Sequence, residues 1–349
     1  MKPQRREFLA TAAAGALALP LFARTAAAAA GPATSYDSRL MGAPKFVDVD
    51  GIRTRYFDAG RGPVMVLIHG GQWPATTSAE GFAAIFDRLA ASYHVYAFDK
   101  LGMGYTDLPK TLADYSMDGI IRHAYAFIRA VGITRAIVAG HSRGALPAAR
   151  IAVDHPELVS HLIIFDTNAL AADDITLPER PDPPPPPQTP TREQIRAADL
   201  ASPLSHNKAF ITDAYVEGEY RIALLPKTQE AARQFRAAKE EWIRNHPDRM
   251  RANPSLANDQ GALVWWMVDA KHATLDSIAA GHLKLPTVII WGWNDPFAPY
   301  RFGLGAMSII SQANDATEMH FVNDSGHFVF AEQPQTVTRL IDSFIRAYA

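Results

Sequence analysis

The stretch Ile137-Val138-Ala139-Gly140-His141-Ser142-Arg143-Gly144-Ala145 constrains this chain more than any other. A short apolar run ends in Gly-x-Ser-x-Gly, and a helix-compatible segment, residues 145–153, follows without a linker. That strand-turn-helix setting is what a nucleophile elbow requires. Gly140 and Gly144 lack a Cβ, which lets strand and helix crowd around Ser142 and leaves its hydroxyl exposed at the tip of a strained turn. A glycine-rich turn kept only for packing would carry the same pattern. The choice between the two depends on what the rest of the chain supplies.

The surrounding segments alternate between strand and helix. Residues 46–57 alternate apolar and polar around Asp50-Gly51, a hairpin signal. Val64-Met65-Val66-Leu67-Ile68 is a continuous apolar run, as a parallel strand covered on both faces demands, and it runs into His69-Gly70-Gly71-Gln72-Trp73. A helical stretch (80–91), a strand (94–98), a glycine-rich loop (99–107) and a helix (117–131) lead to the elbow strand, and residues 161–165 read as one more strand. From about 168 to 283 no strand is expected. A proline-rich run at 181–190 favours an extended linker, and helices are expected at 192–200, 207–225, 228–245 and 262–277. Alternation then resumes with a strand (287–291), a helix (300–311), a strand (316–321) and a closing helix (334–348). The pattern predicts an α/β fold: a mostly parallel, doubly wound sheet in a core of residues 31–167 and 284–349, interrupted by a helical cap at 168–283.

Residues 1–30 are read as a leader that stands before this fold. Lys2, Arg5 and Arg6 form a basic head, residues 8–21 an apolar core without an acid, and residues 23–30 offer small-residue cleavage sites. Arg5-Arg6-Glu7-Phe8-Leu9 is similar to a twin-arginine export motif, so the mature protein is expected in the periplasm or outside the cell. The apolar core is shorter than the ~20 residues that span a bilayer, so no stable membrane anchor is expected after cleavage. The absence of cysteine fits an exported protein that does not depend on disulfides. Without the leader, 30 basic and 35 acidic residues remain. That balance excludes nucleic acid as a partner and leaves a small molecule as the expected one.

Two further residues complete the chemistry that Ser142 begins. Asp295 follows Val288-Ile289-Ile290-Trp291-Gly292-Trp293-Asn294 at the carboxyl end of a strand, and His327 lies in Asn323-Asp324-Ser325-Gly326-His327-Phe328, after the next one. A serine hydroxyl is a weak nucleophile near neutral pH and needs an imidazole to take its proton. The imidazole in turn needs a carboxylate to fix its tautomer and stabilise its charged form. Asp166, just past its own strand, is the rival acid, and Asp295 is preferred for its place in Trp-Gly-x-x-Asp-Pro. The order Ser, Asp, His, with each on a loop at one sheet edge, resembles the α/β-hydrolase fold serine hydrolases that carry a helical cap.

Within that superfamily, Ser142-Arg143-Gly144, Leu101-Gly102-Met103-Gly104-Tyr105-Thr106-Asp107 and Trp291-Gly292-x-x-Asp295 look most like the esterase and meta-cleavage-product hydrolase branch. The resemblance implies an oxyanion hole made by backbone N–H groups of Arg143 and Gly71, with Gln72 as the alternative donor. Serine at the elbow, where haloalkane dehalogenases and epoxide hydrolases carry aspartate, argues against alkyl-enzyme chemistry. Gln72, His141, Trp265 and Trp266 are candidates for the pocket wall, although His141 could equally support the elbow and the tryptophans could pack as core. Asp99 is read as shaping its loop. The 12 histidines show no metal-ligand spacing, so neither metal nor cofactor is expected.

Hydrolysis of a carboxylic ester is the leading expectation. Carbon-carbon hydrolysis of a vinylogous diketone acid is the alternative, with Arg221 or Arg233 available in the cap for its carboxylate. A proline iminopeptidase-like activity is a third, suggested by His69-Gly70-Gly71. In each, Ser142 is the nucleophile. Ser142→Ala should lower kcat by a factor on the order of 10⁴ to 10⁶ with the fold intact, because a triad acts as a unit. A purified variant that kept a tenth of wild-type turnover would remove Ser142 from this role.

Overall fold

A computed structural model describes residues 38–171, 189–258 and 261–349. The expected export leader and most of the proline-rich run lie outside these residues. Eight strands form one sheet in the order β1-β2-β4-β3-β5-β6-β7-β8. They are β1 Lys45–Val49, β2 Ile52–Ala59, β3 Val64–Ile68, β4 His94–Phe98, β5 Ala136–His141, β6 Val159–Phe165, β7 Thr287–Gly292 and β8 Thr317–Val322. β2 pairs antiparallel with both β1 and β4, and every other pairing is parallel. Asp50 and Gly51 both take positive φ, 51° and 78°, between the paired Val49 and Ile52. This is the backbone a two-residue hairpin needs to follow the twist of its strands.

Helices cover both faces, which is why the central strands read as unbroken apolar runs. In β3, Val66 and Ile68 join the cluster that includes Ile120, Ala124 and Phe127 of α2 (Met117–Ala130), together with residues of α3 (Ala145–Asp154) and α9 (Tyr300–Ser311). Met65 and Leu67 face the opposite cluster, with Ile85, Phe86 and Leu89 of α1 (Ala83–Leu89) and Ile341 and Phe344 of α11 (Pro334–Ala347). The sheet alone therefore spaces its apolar residues by two, and the helices bury both sets.

Between β6 and β7 the described residues form helices α4 (Arg192–Ala201), α5 (Asp213–Ala223), α6 (Pro226–Asn245), α7 (Pro247–Ala252) and α8 (Val268–Ala279), and no strand. α4 begins with a capping box, Thr191 with Gln194, and α6 with Pro226 in its first turn, both signals of a helix start. Ala231, Phe235 and Ala238 of α6 share the apolar cluster of α2 and α3, so the insertion is packed onto the sheet domain as core. Lys227 donates to the carbonyls of Met103 and Thr106, which fastens the start of α6 to the glycine-rich loop.

One expectation needs correction. Trp265 and Trp266 are not in a helix: α8 begins only at Val268, and the two tryptophans lie in the turn before it. Their backbone groups are engaged elsewhere. The Trp265 N–H donates to the Leu256 carbonyl at 2.9 Å, and the Trp266 carbonyl accepts the Met117 N–H at 2.7 Å at the start of α2. A helix over 262–277 would need those groups for its own ladder.

A buried ion cluster shapes the loop after β4. The Asp99 carboxylate accepts Arg55 Nε at 2.6 Å and the backbone N–H groups of Ala79 at 2.8 Å and Tyr105 at 2.7 Å, while Arg55 also donates to Glu80 at 3.0 Å. Burial by itself would raise the Asp99 carboxyl, but the Arg55 charge and its hydrogen bonds hold it below the usual carboxylate value. Removing one partner of such a cluster leaves a buried charge uncompensated. Asp99→Asn should therefore cost about 3 kcal/mol of unfolding free energy at neutral pH. Because the folded carboxyl titrates below its ordinary 3.8, the wild-type advantage is full above that pH and narrows only as the pH falls further. Denaturant unfolding of both proteins at pH 7 and pH 3.5 measures this, and equal stability at pH 7 would overturn it.

Candidate active site

Ser142 sits where β5 turns into α3, with φ of 51°, a left-handed conformation that is costly for a residue with a Cβ. Packing enforces it. A Cβ on Gly140 would lie 2.3 Å from the Gly144 carbonyl oxygen, and one on Gly144 would lie 2.2 Å from that of Ile68. No side chain fits at either position, so strand, turn and helix close on Ser142 from three sides. The Thr167 hydroxyl, just past β6, donates to the Ser142 carbonyl at 2.7 Å and holds the turn from the neighbouring strand.

The sheet then brings the other two groups to the serine. His327 Nε2 is 3.0 Å from Ser142 Oγ, and His327 Nδ1 is 2.7 Å from Asp295 Oδ2. The other Asp295 oxygen accepts the backbone N–H groups of Phe297 at 2.7 Å and Ala298 at 2.9 Å, which fixes the carboxylate's rotation. All three residues are buried. Water therefore competes little for these hydrogen bonds, and the imidazole keeps a single orientation.

Asp166 is placed differently. Its Oδ1 accepts the Gly292 N–H at 2.7 Å, and the carboxyl is fully buried. Burial, and then the nearby Asp295 charge, push its carboxyl well above the usual carboxylate range. It braces the end of β7 behind Asp295 and makes no hydrogen bond to His327.

The expected oxyanion turn packs against the elbow: a Cβ on Gly70 would lie 2.8 Å from the Ser142 Cβ. Gly71 has φ of 75°, and a Cβ there would meet the Thr77 hydroxyl oxygen at 2.0 Å. The Gly71 carbonyl accepts Lys100 Nζ at 2.9 Å, and the Lys100 N–H donates to His69 Nε2 at 3.0 Å. Lys100 is fully buried, and burial followed by the Arg143 charge draws its ammonium well below its ordinary pKa. Gln72 is 9% exposed beside this turn, and its carbonyl accepts the Ala75 N–H at 2.7 Å.

The other candidates divide by their contacts. His141 bonds through Nε2 to the His327 carbonyl at 2.8 Å, with the two rings 4.9 Å apart. Burial, then the proximity of His327, keeps its pKa well below the ordinary value, so it is a neutral donor that ties the strand ending at Ser142 to the loop of His327. The Arg143 guanidinium is buried; it donates to the Gly261 carbonyl at 3.1 Å and lies 5.0 Å from the Trp266 ring. Trp266 also meets Trp73, the residue after Gln72, at 6.0 Å. Trp265 packs on Phe235 at 5.1 Å and Trp242 at 6.3 Å, and Phe235 also meets Trp266 at 6.2 Å. Arg221 pairs with Glu217 and Arg233 with Glu230, both on exposed helix faces. The phenyl ring of Phe297, 5.0 Å from the His327 ring, was not anticipated, nor were Thr167 and Lys100. A serine-like motif points to a nucleophile, but nothing in the sequence marks a threonine or lysine that bonds to backbone carbonyls of distant segments.

Sheet order, elbow and hydrogen-bonded Ser-His-Asp set define a hydrolase of the α/β fold. The chain belongs to the alpha/beta hydrolase fold family, whose pattern matches residues 63–334. Among curated proteins it is similar to the 2-hydroxy-6-oxo-6-(2'-aminophenyl)hexa-2,4-dienoic acid hydrolase of Metapseudomonas resinovorans, 28% identical over 307 residues, covering 86% of this chain and 90% of that one. It is also similar to the 2-hydroxymuconate semialdehyde hydrolase of Pseudomonas sp. (strain CF600), 25% identical, covering 84% of this chain and 91% of that one. Among solved structures, the serine hydrolase involved in carbazole degradation, the CarC enzyme, aligns with a TM-score of 0.64 at 25% identity, over 87% of this chain and 99% of that one.

The two carboxyls near His327 can be separated by substitution. Asp295→Asn removes the acceptor at Nδ1 and should lower kcat by about 10⁴, the scale seen when a triad aspartate is replaced by asparagine. Asp166→Asn, which leaves the acceptor at His327 Nδ1 in place, should cost less than about tenfold. A loss at Asp166 as large as that at Asp295 would reverse the assignment.

Proposed function

We propose that this hydrolase cleaves carboxylic esters through an acyl-enzyme. The observation that carries the reading is the placing of His327 between Ser142 Oγ and Asp295, 3.0 Å from one and 2.7 Å from the other. The Ser142 hydroxyl gives its proton to His327 Nε2 as Oγ bonds to the carbonyl carbon. Backbone N–H groups of Gly71 and Arg143 receive the negative charge on the carbonyl oxygen, which a rigid, buried turn stabilises better than water does. The bond to the alcohol oxygen breaks as His327 returns its proton to it. A water molecule, deprotonated by His327, then releases the acid and restores Ser142. Asp295 stabilises the imidazolium at both stages and fixes which nitrogen carries the proton.

Carbon-carbon hydrolysis is the second reading, favoured by the names of the similar proteins above, two of them dienoate or muconate hydrolases. The same groups would attack the ketone of a vinylogous diketone acid, with the departing carbon taking a proton. Support for the ester comes from two sides. The cap arginines considered for a substrate carboxylate, Arg221 and Arg233, are paired on exposed faces. The Arg5-Arg6 leader also suits an exported enzyme better than a step in cytoplasmic catabolism.

Parallel assays decide between them. Purified enzyme should turn over short and medium alkyl and p-nitrophenyl esters with kcat/KM at least about tenfold above that for a 2-hydroxy-6-oxo-dienoate, a difference of roughly 1.4 kcal/mol in transition-state binding. Faster turnover of the dienoate would make the carbon-carbon reading the right one.

A further inference from the structure

Glu332 closes the short helix α10 (Val329–Glu332), five residues beyond His327, and its side chain turns back under the loop that carries the imidazole. Its Oε2 accepts backbone N–H groups from Gly326 at 2.8 Å, His206 at 3.0 Å and Asn207 at 2.7 Å, and its Oε1 accepts the Phe328 N–H at 3.3 Å. Two of these donors flank His327. The other two belong to the strap that joins α4 to α5 in the cap. The seam is tight: the His327 N–H donates to the Leu204 carbonyl at 2.7 Å, and a Cβ on Gly326 would lie 2.5 Å from that oxygen and 2.8 Å from the His206 nitrogen. Glu332 is 7% exposed.

Burying a carboxylate is unfavourable unless its lone pairs are filled, and burying an amide is unfavourable unless its N–H is accepted. Here one carboxylate and four amides satisfy each other: burial raises the Glu332 pKa, and the four N–H bonds oppose that shift, since bonds to an ionised acceptor are stronger than neutral ones. A brace serving only the His327 loop would need the amides of Gly326 and Phe328 and no others. The cap amides on the same oxygen make the two segments move as one.

We infer that Glu332 is a positioning residue that locks the loop carrying His327 to the cap strap at residues 204–207, so that seating of the cap and alignment of the base are a single equilibrium. The inference rests on Ser142 and His327 acting as nucleophile and base. Its consequence is kinetic. His327 Nε2 must stay within hydrogen-bond reach of Ser142 Oγ, and an error of about 1 Å at such a contact costs on the order of 10²-fold in rate. Loss of the lock should therefore appear in kcat and in the reactivity of Ser142, with little change in KM.

The test uses the full chain and Glu332→Gln, which keeps the size of the side chain but turns an amide NH₂ towards N–H donors. A fluorophosphonate probe reports Ser142 reactivity without reference to any substrate. Its labelling rate and the ester kcat should both fall by about 10- to 100-fold. Amide hydrogen exchange should quicken together in segments 204–207 and 326–328. A folded variant that labels as fast as wild type overturns the inference, and so does faster exchange confined to 326–328. Should the variant not fold, the wild type decides: phosphonylating Ser142 should change exchange at 204–207, and no change there overturns the lock. A wild type that takes up no probe overturns the reading of Ser142 as nucleophile, and the lock with it, which separates that failure from the others.

Discussion

The approach of Gly144 to the carbonyl oxygens at the end of β3 is the constraint on which the rest of this molecule depends. A strand, a turn and a helix can meet at that distance only where two side chains are missing, and their closure forces Ser142 into a left-handed backbone. Such strain persists only if the surroundings over-determine it. Here they do so through the parallel pairing of β3 with β5, the Thr167 hydroxyl on the Ser142 carbonyl, and the turn at Gly70 pressed against the serine. The place of Ser142 is thus a property of the sheet, with the side chain only completing it.

Around that fixed point the site is assembled mainly by backbone contacts. His141 holds the carbonyl of His327, Lys100 holds the carbonyl of Gly71, and Asp295 is held by two amides of its own loop. Side chains that touch main chain position whole loops rather than single atoms, so several loops from different strands can share one geometry. Burial lowers the pKa of His141 and raises that of Asp166, in each case favouring the uncharged form.

Much of this was legible in the residues because the reactive groups stand directly after strands. Ser142 and Asp295 follow apolar runs that the eye can find, His327 follows a strand of mixed polarity, and their order along the chain matches one known arrangement. Sheet strands at 94–98 and 287–292 and the helix at 300–311 were likewise marked by period and by flanking turn residues. What sequence did not carry was partner identity across the fold. Thr167, Lys100 and Glu332 look like ordinary polar residues until distant carbonyls and amides are brought to them. Trp265 and Trp266 misled for the opposite reason. Their apolar stretch fits a helix face, but the carbonyl of Trp266 is taken by the first turn of α2, a tertiary bond that local pattern does not register.

The insertion between β6 and β7 enters and leaves through strands that lie side by side, with Phe165 paired to Ile290. The ends of the excursion are therefore already joined by the sheet. For a segment closed in this way, added length costs little, roughly 0.6 kcal/mol for each doubling of a flexible loop. Evolution can lengthen, shorten or replace the insertion while the register of the sheet stays the same. New substrates would then arise by exchanging this insertion, and each replacement would have to refit its joints with the sheet domain, the Glu332 bonds to residues 206 and 207 among them.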